Sequence, residues 1–240
     1  MQKISTIIPI KNEEDNIIDL SDKILNSLKN FDNELIFVDD GSIDKSKDII
    51  VFLNKKFGKK IRGIFFDKNY GHQAALLAGL RLSNGDLIFT IDGDLQDPPK
   101  YMPIMIDYLS ENNFDVVNTI RNKRPGETFV RLFFIKFLYF ISKLILTKIT
   151  FNSGDFRLIN RRALNIIINF ERKVFFLRSI MPKLKINQGF FYYDRDIRQK
   201  GFSKCNFFWL TNFAFQAFLS SFNINFIKRY HTKYKIERII

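Results

Sequence analysis

The chain is short of the residues that build several common sites. It has one cysteine, Cys205, and two histidines, His72 and His231, in 240 residues. An internal disulfide framework and a cysteine-based zinc cluster are therefore excluded, and a His-rich metal centre has no material. Its eleven glycines form no G-x-G pair, so neither the dinucleotide-binding fingerprint nor a P-loop is present. No secretory h-region follows Met1, because Pro9 breaks the first strand-like run, and the chain reads as cytosolic. No helix-turn-helix or RNP-type motif accompanies the net charge of +13, so nucleic acid is not the expected partner. Wholesale disorder is excluded by 46% hydrophobic against 26% charged residues, a balance that suits one large domain or one domain with an appendage.

What is present is unevenly placed. Residues 1–120 carry 14 Lys and Arg against 19 Asp and Glu, while residues 121–240 carry 24 against 6. Of the 28 phenylalanines, 20 fall in the second half. A basic, aromatic second half is expected to meet something anionic and partly greasy, a lipid headgroup surface before a nucleic acid.

The first half alternates strand and helix. Apolar runs at 4–10, 34–38, 61–66, 86–91 and 115–120 predict strands. Helical spacing or caps predict helices over 13–29, 44–57, 72–82 and 99–111. Short links between them predict a mostly parallel sheet covered on both faces, with ligands beyond the carboxyl ends of the strands. Polar residues gather at those ends: Asn12-Glu13, Asp39-Asp40, Lys68-Asn69 and Asp92-Gly93-Asp94. Two carboxylates one residue apart suit a hard divalent cation that faces a polyphosphate. The motif continues as Leu95-Gln96-Asp97-Pro98-Pro99, which starts a helix with proline in its first turn.

The second half reads differently. Residues 129–149 are apolar but hold Arg131, Lys136, Lys143 and Lys148, which favours an interfacial or core helix over a spanning one. Residues 205–227 carry no charge, and Asn212, Gln216, Ser220 and Asn223 draw one polar stripe down an otherwise apolar helix. That pattern fits an amphipathic helix lying on a membrane, or a buried packing helix. Five basic residues in 228–240 suit acidic lipid. Plainer readings compete at single residues. Asp39 and Asp40 could cap a helix, Asp155 and Arg157 could form an internal ion pair, and Arg195 and Arg198 could be a solvated face. His72 reads as a first-turn helix residue.

The blocks 6–14 (TIIPIKNEE), 36–42 (IFVDDGS), 69–79 (NYGHQAALLAG), 88–99 (IFTIDGDLQDPP) and 154–158 (GDFRL) occur in this order. Arg195-x-x-Arg198-x-x-Gly201-x-Ser203-Lys204 follows them. Together they resemble family 2 glycosyltransferases of the GT-A fold, and within that family the polyprenyl-phosphate glycosyltransferases, over roughly residues 4–222. The resemblance implies an α/β fold with a mostly parallel central sheet and C-terminal amphipathic interface helices. It implies an inverting, metal-dependent hexosyltransferase that moves a sugar from a nucleotide diphosphate sugar to a polyprenyl phosphate, with Mg²⁺ or Mn²⁺ as cofactor. By position, Pro9, Glu13, Asp39, Asp40, Lys68, Asn69, Asp92 and Gly93 would line the donor site, with Lys68 where the family often has arginine. Asp94 and Gln96 would hold the metal. Asp155 would be the catalytic carboxylate, with Asp92 beside it at the sugar. Arg157, Arg195, Arg198, Ser203 and Lys204 would bind phosphate on the acceptor side.

The implied division is a nucleotide-sugar half at 1–127, an acceptor half at 128–204, and a membrane-interface helix with a basic tail at 205–240. Family relatives usually continue into two transmembrane helices after about Phe222. The expectation here is instead peripheral attachment to the cytoplasmic face of the membrane or a separate membrane-spanning partner, with a homo-oligomer allowed. Two readings stay open beside this one: transfer to a surface-polysaccharide hydroxyl, and a silent nucleotide-sugar-binding scaffold.

Overall fold

The computed structural model describes residues 2–122, 153–170, 175–196 and 233–240. The expected helices at 129–149 and 205–227, and Arg198, Ser203 and Lys204, lie outside the described residues. Five strands and four helices alternate first: β1 (Lys3–Ile10), α1 (Ile17–Ser27), β2 (Asp32–Asp39), α2 (Ser46–Phe57), β3 (Ile61–Phe66), α3 (His72–Leu82), β4 (Leu87–Thr90), α4 (Met102–Glu111) and β5 (Val116–Arg121). Then come β6 (Ser153–Asn160), α5 (Arg161–Asn169), α6 (Leu177–Ile180), β7 (Gln188–Tyr193) and β8 (Ile236–Ile239).

These strands form one sheet in the order β7-β5-β6-β4-β1-β2-β3-β8. Six strands share a direction; β6 runs against its neighbours β4 and β5, and β8 runs against β3. β1 and β2 read as near-continuous apolar runs because both faces are covered, and they are buried along almost their whole length. Alternate side chains serve two cores. Ile4, Ile8, Leu35 and Phe37 pack with Ile17, Leu20, Ile24, Leu53 and Met105 on one face. Ile7, Ile36, Val38 and Ile64 pack with Ala75, Leu76, Ala78, Leu164 and Leu177 on the other. The β1–β4 ladder ends at Ile7–Thr90, so Pro9, which has no N–H, sits beyond it.

Two features depart from the sequence pattern. Helix α1 begins at Ile17 rather than at 13, because Asn12 turns into the left-handed region (φ 50°) and residues 12–14 bond instead to Ser42 and Asp44 of the β2–α2 loop and to Ser46 at the start of α2. The end of the expected basic tail forms the edge strand β8. There Lys235 pairs with Asp67 at 3.7 Å and Glu237 with Lys47 at 3.7 Å. No described helix is long and apolar enough to cross a membrane.

Candidate active site

The rim at the carboxyl ends of β1, β2, β3 and β4 gathers the predicted residues, and β6 completes it. Register explains why. Thr90 of β4 lies opposite Arg157 of β6, so two residues further on Asp155 comes across from Asp92.

The β2 end is wired tightly. Asp39 is fully buried and accepts the Ser42 N–H at 2.9 Å, while its other oxygen, Oδ2, has no hydrogen-bond donor among the described residues. A buried carboxylate oxygen left open in this way is uncommon and has room for a donor from water or a ligand. Asp40 instead accepts the N–H groups of Tyr70 at 2.6 Å and Gly71 at 2.9 Å, which clamps the β3–α3 loop. Burial pushes the Asp40 carboxyl up against these bonds. Gly41 (φ 66°) lies so close to Lys68 that a Cβ would stand 2.6 Å from its backbone carbon. Lys11 donates to the carbonyls of Asp40 and Gly41. The Glu13 N–H donates to Ser46 Oγ at 3.0 Å, and its carboxylate accepts from Asn16 at 2.7 Å. Lys68 and Asn69 are exposed, with the Lys68 ammonium 5.5 Å from the Tyr70 ring centre.

After β4, Gly93 packs against β1, where a Cβ would stand 2.6 Å from Ile10. Leu95 adopts φ 60°, a strained conformation for a branched side chain. The turn brings the Gln96 N–H to Asp94 Oδ1 at 3.2 Å. Three carboxylates crowd this loop around one guanidinium. Arg195 Nε lies 3.0 Å from Asp97 Oδ1, and Nη2 lies 3.4 Å from Asp94 Oδ2 and 4.0 Å from Asp92 Oδ2. Burial pushes the Asp94 carboxyl up to about 6, with Asp92 and Asp97 adding to the rise and Arg195 opposing it. Burial acts on Asp97 in the same sense. There, however, Arg121 and Arg195 with the Tyr193 hydroxyl outweigh it and hold Asp97 below its ordinary value.

Asp155 has the opposite surroundings. Arg178 of α6 grips both of its oxygens, Nε to Oδ1 at 3.1 Å and Nη2 to Oδ2 at 3.0 Å. His72 Nε2 stands 3.3 Å from Asp155 and 3.6 Å from Asp92, bridging the two carboxylates. Arg157 is fully buried 3.9 Å from Asp155 and donates to the Gly154 carbonyl at 2.9 Å; its Nε and Nη1 have no hydrogen-bond partner among the described residues. Burial opposes ionisation of Asp155, yet Arg178, His72 and Arg157 hold it well below the usual carboxylate range. Burial lowers Arg157 to about 10. Burial also works to lower His72, but Asp155 and Asp92 outweigh it and leave the imidazole raised.

Among the described residues, two places offer ligands to a cation. Ligand atoms of His72, Asp92 and Asp155 lie within 4.8 Å of one another, but Arg178 already holds both oxygens of Asp155, and a cation there would face two guanidinium groups. Asp94 fits better: it is an oxygen donor in a crowd of acids whose own charge is disfavoured until a cation arrives.

The expected residues Pro9, Glu13, Asp39, Asp40, Asp92, Gly93, Asp94, Gln96, Asp155, Arg157 and Arg195 thus share one rim. Lys68 and Asn69 stand at its exposed edge. Sequence reasoning missed His72, Asp97, Arg121, Arg178 and Tyr193. His72 carried a signal, its place at the carboxyl end of β3. Asp97 sat inside the quoted motif. Arg178 carried none, since only the placement of α6 beside β6 brings it to Asp155.

Other proteins resemble this chain in sequence or in fold. The chain is 34% identical over 221 residues to the uncharacterized glycosyltransferase sll0501 of Synechocystis sp., covering 91% of this chain and 69% of that one. It is 40% identical over 131 residues to the undecaprenyl-phosphate 4-deoxy-4-formamido-L-arabinose transferase of Photorhabdus laumondii, covering 54% of this chain and 40% of that one. Glucosyl-3-phosphoglycerate synthase from Mycobacterium tuberculosis, solved with Mn²⁺, uridine diphosphate and its glucosylated product, superposes with a TM-score of 0.55 at 18% identity. That match covers 90% of this chain and 77% of that one, and it marks the GT-A fold. The family model described as glycosyl transferase family 2 matches residues 5–167, a span that holds the rim residues from Pro9 through Asp94 to Asp155 and Arg157 but not Arg178 or Arg195. By that match and by its relatives, the chain is a glycosyltransferase and belongs to glycosyl transferase family 2.

Proposed function

We propose that the protein transfers a hexose from a nucleoside diphosphate sugar to a polyprenyl phosphate in one inverting displacement, at the cytoplasmic face of a membrane and with Mg²⁺ or Mn²⁺. The observation that carries the choice of acceptor is the state of Asp155. A sugar hydroxyl needs a general base, and a base works best with a pKa near the operating pH. Asp155, gripped by Arg178 and flanked by His72 and Arg157, is a poor proton acceptor. A phosphate monoester, with a second pKa of about 6, is already largely dianionic at neutral pH and needs no base. The basic half of the chain supports an acceptor of that charge. So does the similarity to a relative named for undecaprenyl phosphate.

In this reading Asp39 Oδ2 accepts from the nucleoside, which supplies the donor it lacks. Asp94, with Gln96, would hold the metal, and Asp92 faces the sugar between donor and acceptor. The metal supplies charge neutralisation for the departing diphosphate. Asp155 fixes Arg178, Arg157 and His72 as a cationic wall toward the acceptor phosphate. Arg195, with Arg198, Ser203 and Lys204, serves the phosphates. The test is transfer of label from a panel of nucleotide sugars to undecaprenyl phosphate with Mn²⁺, counted in the organic phase, with Asp94→Asn alongside. Counts that depend on metal and vanish in the variant are expected. Label found only on a glycan hydroxyl, or donor binding with no transfer to either, would overturn the lipid acceptor.

A further inference from the structure

We infer that Arg195 is a built-in counter-ion of the Asp92–Asp94–Asp97 cluster, holding the place of the divalent cation until a nucleoside diphosphate offers its guanidinium another anion. The inference rests on the donor reading above and adds an order to it: cation and nucleotide bind together, and the cation alone binds weakly.

The geometry limits what Arg195 can do. Its backbone is fastened on both sides. β7 ends two residues before it at Tyr193, which is parallel-paired to Arg121. After it, the Asp196 N–H donates to the Gln96 carbonyl at 2.9 Å, and Gln96 Nε2 donates back to the Asp196 carbonyl at 3.5 Å. The arginine is therefore stitched to the same loop that carries Asp94. Its backbone stays at the rim, and its side chain chooses among the anions found there.

The carboxylates it touches differ in what they would lose. Asp97 keeps the Tyr193 hydroxyl and Arg121 Nη2 at 3.5 Å if Arg195 turns away. Asp94 has, among the described residues, the Gln96 N–H on Oδ1 and only Arg195 on Oδ2. A cation bound to Asp94 would compete for that oxygen and face a like charge next to it. Diphosphate oxygens resolve the conflict, because they satisfy the cation and the guanidinium fork at once. Each ligand then raises the affinity of the other by the same factor.

The experiment measures Mn²⁺ binding alone, by the loss of the free-ion electron paramagnetic resonance signal, and then uridine and guanosine diphosphate binding with Mn²⁺ by calorimetry. It uses the whole chain with Arg195→Gln and Arg195→Lys. Arg195→Gln is expected to bind Mn²⁺ alone about tenfold more tightly, and the preferred diphosphate with Mn²⁺ about tenfold more weakly. Arg195→Lys keeps the charge and should bind Mn²⁺ alone nearly as weakly as the parent, which also guards against a folding defect in the glutamine variant. A role confined to scaffolding would weaken both ligands together. Unchanged or weaker Mn²⁺ binding in Arg195→Gln overturns the inference, even if diphosphate binding falls. If the parent binds neither diphosphate with Mn²⁺, the donor reading fails, and the metal-alone comparison still decides what Arg195 does.

Discussion

Asp94 and Asp155 stand on one rim, and their surroundings drive them in opposite directions. Asp94 shares its loop with two other carboxylates and faces one arginine, and its pKa is pushed up to about 6. Asp155 has two arginines and a histidine around it and is held well below the usual range. The first site is short of positive charge and the second has more than one carboxylate can neutralise. In the function proposed above, this charge balance separates a donor side suited to a cation from an acceptor side suited to an anion, which the identities of the two aspartates alone do not.

The largest expected effect comes from removing the anion on the overcharged side. Asp155→Asn leaves Arg157 and Arg178 without their carboxylate, and breaking such a pair typically costs about 3–5 kcal/mol. Denaturant unfolding of the variant against the parent at pH 7 measures it. Because the folded pKa of Asp155 is depressed from 3.8, its contribution is complete above that value and is lost as pH falls through the folded pKa. The gap between variant and parent should therefore close only in strong acid. A gap already closed at pH 5 would mean that the arginines do not depend on Asp155.

The same substitution on the other side should have the opposite sign for stability. Asp94→Asn removes a carboxylate that is costly to ionise above about pH 6, so without metal the variant should unfold a few degrees higher than the parent. With metal and donor its transfer rate should fall by about 10²–10³-fold. Thermal unfolding with a chelator, set beside the transfer assay, checks both halves. Destabilisation of Asp94→Asn in chelator would break the contrast.

A smaller change sharpens the acceptor side. Arg178→Lys keeps the charge but not the two-pronged grip on Asp155. We expect a loss of about 1.5–3 kcal/mol in stability, the worth of one charge-assisted hydrogen bond, and a drop in transfer of about tenfold. Full activity in Arg178→Lys would show that orientation of Asp155 is unimportant.

The placement of the residues around Asp94 is largely legible in the sequence and that of the residues around Asp155 only in part, for reasons of locality. Pro9, Asp39, Asp92 and Asp94 each follow an apolar run within a few residues, so strand, turn and carboxylate are read together. The β6 strand is inserted between β4 and β5 from more than thirty residues downstream, and no periodicity announces a partner that distant. Asp155 is legible through its block of sequence, which offers an ion pair with Arg157 only as a competing reading. In the fold the tighter partner is Arg178, at 3.0 Å against 3.9 Å. Asp97 was read as the start of a helix, yet it is the buried hub for Arg121, Tyr193 and Arg195, because a turn polar in sequence folds inward when three donors converge on it.

The smallest expected effect probes the bridge between the two sides. His72 touches Asp92 on the donor side and Asp155 on the acceptor side, with Arg178 opposing and Asp40 nearby. Its pKa is raised above 6.5, so the stability it contributes is complete below that value and is lost as pH rises through the folded pKa. Glutamine keeps a polar donor but cannot titrate. The parent should therefore unfold above His72→Gln near pH 6, and the difference should shrink toward pH 9. About a third of the imidazole is open to solvent, which screens the pairs and limits the difference to about 1–2 °C. A difference that stays constant across this range would mean that His72 packs at the rim without carrying the charge that joins its two carboxylates.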